Sequence, residues 1–433
     1  MRKKAVPVSL LKFGMFIHEL DRPWTDTPFA FQGFLLRNME QLDGIKKYCK
    51  TVYIDFDRSE LDADAERSVL VATQAIATKL PPAPKIAVER ELEPAAKAYG
   101  QTRGTLTELF TSVRAGKVLE ASELKASVQG ITKSVLRNPD ALQLFTRLEE
   151  KGEYTQSHAL DVAVYMTTFG RFLEMQLDEI STLGYLGLLQ DIGKLRVSTK
   201  LIEKPERLNV EEFEQAKRHV KYSADIIEET PNLPHGLSAL ALLHHERYDG
   251  SGYPMGLEGS QIGKIGAIAA IVDTFDALTM KRPYADPVAP SAALGMLYKW
   301  RGTFFDSTLV EQFIRCIGVF PVGSVVELNT GEVGIVFAQN YEKRLQPRIM
   351  VIRDAKGNTL RPQKVLDLAR GPMATKNEPY RIRRTLNSAA WACPRKTSSC
   401  SRPPRTEICG DGMQFIVRVT VPDSIRFRRP DSD

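Results

Sequence analysis

Apolar and polar residues alternate at the start of the chain. Val6, Val8 and Leu10 share one face of an extended segment, and Phe16 and Ile17 begin a second. After the turn-rich stretch Pro23–Phe29, extended structure resumes at Phe31, Phe34 and Leu35. Met39–Cys49 has helical spacing and Val52–Asp55 reads as a short strand. Residues 1–58 therefore predict a small α+β domain, with Trp24, Phe29 and Phe31 as core or docking side chains. Residues 59–86 are charged, alanine-rich and proline-terminated, which is linker composition.

From Val88 the period changes to that of amphipathic and buried helices. Leu106, Leu109, Phe110 and Val113 form one stripe. Val162, Tyr165, Met166 and Phe169 form another, and Ile180, Leu183, Leu186 and Leu189 a third. Two apolar runs, Leu237–Leu243 and Ile265–Val272, follow. Residues 87–321 thus predict an all-helical bundle. Strand patterns return at 322–372: Val325–Leu328 and Val333–Val336 around a turn at Asn329–Gly331, then Arg348–Val351 and Val365–Leu368. These predict a small β-rich C-terminal appendage, and the fold class is mainly α. Residues 373–433 read as a tail. From about 387 no period is visible, and the expectation is local disorder in an accidental extension.

Composition narrows the function classes. The chain has 433 residues, enough for two or three domains, and a formal net charge of +6 concentrated toward its end. That balance does not describe a protein of nucleic-acid polymers. The apolar runs are too short to span a bilayer. Met1-Arg2-Lys3-Lys4 is basic but precedes no long apolar segment, so a cytoplasmic setting is expected. The five cysteines include no CxxC pair, which indicates neither a zinc ribbon nor a disulfide framework.

The chemistry collects in the helical region. Asp191 and Asp273 each close an apolar helix, where an unpaired carboxylate is costly and calls for a metal or a cation. His158 lies at the start of a helix, His219 in the middle of one, and His244 and His245 after the run Leu237–Leu243. Lys194 follows Gly193 in Gln190-Asp191-Ile192-Gly193-Lys194. Gly250, Gly252 and Pro254 predict a fixed-shape loop beside the histidine pair. Imidazoles mixed with carboxylates suit iron, manganese, nickel or zinc. Two histidine-containing half-sites sharing an aspartate describe a two-metal centre for phosphodiester hydrolysis.

Together His158, Asp191-Ile192-Gly193-Lys194, His219, His244-His245-Glu246, Asp249–Pro254, Asp273 and Arg282-Pro283-Tyr284 resemble the HD-GYP family. This is a branch of the all-helical HD metal-dependent phosphohydrolases. Residues 152–312 carry the resemblance, and the N-terminal segment resembles the uncharacterised domain that often precedes it. The resemblance implies hydrolysis of cyclic di-GMP to pGpG or GMP in bacterial signal transduction. It implies His158, Asp191, His219, His244, His245 and Asp273 as ligands of two divalent metals, with Asp191 as the bridge. It further implies Lys194 beside the scissile phosphate, Arg282 on a phosphate, and Gly252-Tyr253-Pro254 beside the substrate. Protein partners would meet the GYP loop or the N-terminal domain.

Two positions depart from the family pattern. Gln190 stands where the His-Asp doublet has a histidine, and an amide oxygen is the poorer ligand, so a weaker second metal and weakened turnover are expected. Tyr154 stands where some members have a glutamate, so at most two metals are expected. The rival readings are a catalytically degenerate cyclic di-GMP-binding or partner-binding signalling protein, and a hydrolase of another cyclic nucleotide.

Overall fold

Among the described residues, four short strands and a helix build the N-terminal unit. The computed structural model describes residues 3–21, 29, 33–49, 51–61, 82–148, 153–282 and 285–386. It divides the chain into two units, Met1–Leu80 and Pro81–Asp433. In the first, β1 (Lys3–Pro7), β2 (Phe16–Leu20), β3 (Phe34–Leu35) and β4 (Thr51–Asp55) form an antiparallel sheet of order β1-β4-β2-β3. Helix α1 (Met39–Tyr48) opens with the Asn38 side chain accepting the Gln41 N–H. Val6, Ile17, Leu36, Ile45, Val52 and Ile54 form the core. The first strand ends sooner than the alternation predicts, because Val8–Leu10 turn into a 3-10 segment. Pro7 precedes them, and a proline has no N–H to continue a ladder. Phe29 packs on this core, while Trp24 and Phe31 lie outside the described residues.

The second unit begins with α2 (Val88–Arg114), α3 (Ala121–Arg137) and α4 (Pro139–Leu148). Two helices then form an antiparallel pair, α5 (Tyr154–Phe172) and α6 (Leu177–Leu189). A 3-10 turn (Ile192–Arg196) and the short α7 (Thr199–Ile202) lead to α8 (Val210–Glu229) and α9 (Leu237–Ala241). The series closes with α10 (Gly263–Thr279), α11 (Pro290–Trp300) and α12 (Ser307–Ile317). An Asn209–Glu212 capping box starts α8. α5 is buried along nearly its whole length, which is why its sequence is apolar on every face.

A five-stranded antiparallel sheet follows: β5 (Val325–Leu328), β6 (Val333–Ala338), β7 (Arg348–Arg353), β8 (Thr359–Asp367) and β9 (Ile382–Leu386), in the order β8-β7-β6-β5-β9. β9 falls within the stretch read as tail. Its two arginines, Arg383 and Arg384, hid it, and both pair with Glu327 on β5. Ile335, Phe337, Met350 and Ile352 face the helices and share their core, whereas Val336, Ile349 and Val351 fill a second core on the opposite face. The period-two alternation therefore sorts apolar residues into two cores. Asp140 fastens the sheet to α4: its carboxylate accepts the Gln339 N–H at 2.9 Å and the Tyr341 hydroxyl at 3.0 Å. Burial pushes its carboxyl up to about 6, against the pull of those two bonds and of Arg171 and Arg348. Residues 387–433 lie outside the described residues.

One close approach positions the site. A Cβ on Gly193 would meet the His219 carbonyl oxygen at 2.1 Å and the Ser223 nitrogen at 2.4 Å. Only a residue without a side chain lets the 3-10 turn lie against α8 in this way. The Gly193 N–H donates to Ser223 Oγ at 2.8 Å, fixing the contact. Asp191 and Lys194 are thereby carried to His219.

Candidate metal centre

Six side chains from five segments meet at Asp191, which is 1 % exposed. Its two oxygens face different groups. Oδ2 lies 3.1 Å from His158 Nε2 and 2.7 Å from Lys194 Nζ. Oδ1 lies 3.3 Å from His219 Nε2 and 3.5 Å from His244 Nε2. His245 Nε2 is 3.2 Å from His219 Nε2, and Asp273 Oδ1 is 3.0 Å from His158 Nε2. Two sets that could hold a metal ion result: Asp191, His219, His244 and His245, and His158, Asp191 and Asp273. His219, in a run of cations that reads as a surface, is 4 % exposed.

Backbone carbonyls set the tautomers. His219 Nδ1 is 2.6 Å from the Ala216 oxygen and His244 Nδ1 is 2.7 Å from the Ala241 oxygen. A carbonyl only accepts, so each Nδ1 carries the proton and each Nε2 offers a lone pair to the site. His158 Nδ1 sits 2.8 Å from Asp276 Oδ2, which orients its Nε2 toward Asp191 and Asp273. Burial lowers His219, and burial with the neighbouring His244 holds His245 well below its ordinary value. Both stay neutral, as a ligand must. Burial opposes charge on His158 as well, but Tyr154 and the carboxylates of Asp191, Asp273 and Asp276 raise it well above its usual range. Burial opposes ionisation of Asp191, yet Lys194, His158, His219 and His244 hold it well below the carboxylate range.

Asp191 Oδ1 and His244 Nε2 are buried without a hydrogen-bond partner. Leaving a buried polar atom unmade costs ~1–3 kcal/mol, so the donor set fits cations that the polypeptide itself does not supply. The Lys194 ammonium, 2.7 Å from Asp191 Oδ2, balances part of the negative charge.

A cavity of about 480 Å³ opens over this cluster. Lys194, Arg282, Lys204 and Arg207 give it cationic walls, and Tyr154, Phe213 and Tyr253 give it aromatic ones. Tyr154 stacks on the His158 ring, with centroids 5.7 Å apart. Tyr253 stacks on His245 at 4.8 Å, and Lys217 lies over both the Tyr253 and Phe213 rings. Gly252 runs against the backbone of Glu246 and Arg247, where a Cβ would approach to 2.5 Å or less. The Tyr253–Pro254 peptide is cis. Pro283 and Tyr284 lie outside the described residues.

Reading the sequence assigned no role to two buried acids. Asp276 sits one turn beyond Asp273 on α10, and that i, i+3 spacing was its available signal. Glu246, fully buried, accepts the N–H of Met255 at 2.7 Å and of Leu257 at 3.0 Å, clamping the loop that carries Tyr253. Its place directly after the histidine pair was the sole hint.

Comparison with known proteins agrees with this architecture. Residues 3–124 match a domain of unknown function, residues 140–309 an HD domain, and residues 325–374 a KOW domain associated with the HD domain. The cyclic di-GMP phosphodiesterase PA4108 of Pseudomonas aeruginosa is 33 % identical over 85 % of this chain and 89 % of its own length. The response regulator RpfG of Xanthomonas campestris, also a cyclic di-GMP phosphodiesterase, is 38 % identical over 33 % of this chain. The 3'3'-cGAMP-specific phosphodiesterase 2 of Vibrio cholerae is 30 % identical over 46 % of it. The chain spans 38 % of the length of each of these two. A solved HDG"Y"P protein of Bdellovibrio bacteriovorus aligns over 72 % of this chain and 98 % of its own, with 15 % identity and a TM-score of 0.43. Among the described residues no helix is long and apolar enough to cross a membrane. With its three domain types matched in order and a full-length relative of this similarity, the chain belongs to the HD-GYP family of HD-domain proteins.

Proposed function

We propose that the protein is a metal-dependent phosphodiesterase that hydrolyses cyclic di-GMP to pGpG or GMP. The observation that carries this reading is the division of Asp191, one oxygen toward the imidazoles of His219 and His244 and the other toward His158 and Lys194. His219, His244 and His245 with Asp191 would hold one divalent ion, and His158, Asp191 and Asp273 the other. Bound there, the ions would supply Lewis acidity to make water a nucleophile and to offset charge on the phosphoryl oxygens. Lys194 places a second positive charge at the bridging carboxylate, where a scissile phosphate would sit. Arg282 would take a phosphate oxygen with its guanidinium. Tyr253 and Phe213 offer aromatic faces to the bases, and the buried floor excludes bulk water. Protein partners in signalling would engage the loop around Tyr253 or the N-terminal unit.

The relative that acts on 3'3'-cGAMP makes the second base an open variable, so the class of substrate is a cyclic dinucleotide. The test is turnover of cyclic di-GMP and of 3'3'-cGAMP by purified, metal-reconstituted protein, with chelated protein and Asp191→Asn as controls. Metal-dependent hydrolysis of cyclic di-GMP, abolished in both controls, is expected. Tight binding without turnover would replace the enzyme by the degenerate binder that Gln190 motivates.

A further inference from the structure

Gln190, at the end of α6, is 1 % exposed and touches the half-site of His158, Asp191 and Asp273. Its Nε2 donates to Asp273 Oδ1 at 3.2 Å, an orientation assigned by chemistry because a carboxylate only accepts. Its Oε1 is buried with no hydrogen-bond partner. The terminal amide thus places one atom against the cluster and leaves its carbonyl unused. A half-turn about the last side-chain bond exchanges the two atoms and presents the carbonyl oxygen to the face that Asp273 shares with His158.

The separations there are those of neighbouring ligands on one ion. His158 Nε2 to Asp273 Oδ1 is 3.0 Å, His158 Nε2 to Asp191 Oδ2 is 3.1 Å, and the Gln190 amide to Asp273 Oδ1 is 3.2 Å. Two donors at right angles on a cation, each at ~2.1 Å, stand about 3 Å apart.

We propose that Gln190 is a metal ligand through Oε1, and that it makes this half-site selective for a hard cation, so that the two half-sites take different metals. The proposal rests on the two-metal reading above and adds the identity of the ions. One half-site joins Asp191 to the three imidazoles of His219, His244 and His245, a donor set suited to zinc, iron or nickel. Around Asp191 Oδ2 stand a single imidazole, the Asp273 carboxylate and the Gln190 amide. With three oxygens to one nitrogen, that set suits manganese or magnesium. Every N/O site binds zinc more tightly than manganese in absolute terms. Selectivity therefore means that the margin in favour of zinc is much narrower at the oxygen-rich half-site, and that limiting zinc goes to the other.

The experiment uses the full chain, stripped by chelation and reloaded with one equivalent of zinc. Manganese is then titrated in, bound manganese being counted by the loss of the free-ion electron paramagnetic resonance signal and total metals by mass spectrometry. The parent is expected to retain its zinc and bind one manganese. Gln190→Leu is expected to weaken manganese at least tenfold while zinc stays bound, the size of effect a lost metal-site interaction has. Retained zinc and an unchanged circular dichroism spectrum certify the fold of this variant. Gln190→Glu, which keeps an oxygen donor, is expected to bind manganese at least as well as the parent. Gln190→His is expected to widen the preference for zinc over manganese tenfold or more. Manganese affinity unchanged in Gln190→Leu would overturn the proposal. A parent that binds zinc but no manganese would also overturn it, while leaving the metallohydrolase reading in place. A parent that binds neither ion would overturn both.

Discussion

Replacing Glu246 with alanine tests whether the loop that walls the cavity is held by one buried carboxylate. Glu246 accepts two backbone N–H groups, from Met255 at 2.7 Å and Leu257 at 3.0 Å, and its side chain is inaccessible to solvent. Hydrogen bonds to a charged acceptor contribute ~1.5–3 kcal/mol each, so the two together bound the loss at about 3–6 kcal/mol. Met255 is 49 % exposed, and water can reach part of the freed backbone. A loss of roughly 2–4 kcal/mol remains once water replaces some of what the carboxylate gave. In a unit of this size each kcal/mol moves the melting temperature by ~2–4 °C. If the loss is coupled to global unfolding, the melting temperature falls by several degrees. If the loop opens alone, Tyr253 leaves its stack on His245 and KM for the dinucleotide rises instead. Glu246→Gln, which keeps one acceptor oxygen, should show about half of either effect. The assays are a thermal melt, Michaelis–Menten kinetics and metal analysis on the same samples. Unchanged melting temperature and unchanged KM in Glu246→Ala would refute the clamp. A loss of metal in step with the rise in KM would show that Glu246 acts on the ions rather than on the loop.

Three further outcomes are expected. Asp276→Asn should weaken metal binding at the His158 half-site by about 10–100-fold, because the partner that orients the imidazole becomes neutral. A metal titration in which both ions bind as in the parent would contradict this. Asp140 has its carboxyl raised to about 6, above its ordinary value of 3.8, so its native proton contributes stability below pH 4 that is lost as the pH rises through 6. The difference in stability between parent and Asp140→Asn should therefore shift against the parent across that window, by at most ~3 kcal/mol. A difference independent of pH would mean that the two hydrogen bonds and the nearby arginines keep the carboxylate ionised. Truncation after Leu386 should leave the melting temperature unchanged. Truncation after Tyr380 should lower it by several degrees, because it strips β9 from β5 and bares that edge; equal melts for the two truncations would show that β9 adds nothing.

Hydrophobic period made the helical bundle legible, since α5, α6 and α10 are apolar enough to have no other reading. The site was legible for a related reason. Asp191 follows an apolar helix as expected, Asp273 lies inside one that runs on to Thr279 rather than closing it, and in either place a buried carboxylate announces a partner. His219 was harder, because lysines and arginines around it give the helix a surface look, and its burial comes from the 3-10 turn lying across it at Gly193. Glu246 and Asp276 went unassigned for a different reason. Each acts on another residue, the first on two backbone N–H groups and the second on an imidazole, and their places in the sequence hint at the acids without naming those partners. β9 was obscured by the two arginines that pair with Glu327.

The hydrogen bonds that orient the histidines have an evolutionary consequence. His219 and His244 are each steered by a main-chain carbonyl three residues back, at Ala216 and Ala241. No substitution can delete a carbonyl, so the aim of those two imidazoles is inherited with the fold and survives drift in neighbouring side chains. His158 is steered by the side chain of Asp276, which one codon change can remove. One half of the centre is thus buffered against mutation and the other exposed to it, and a lineage exploring new metal chemistry would be expected to vary the second. Gln190 stands in that half.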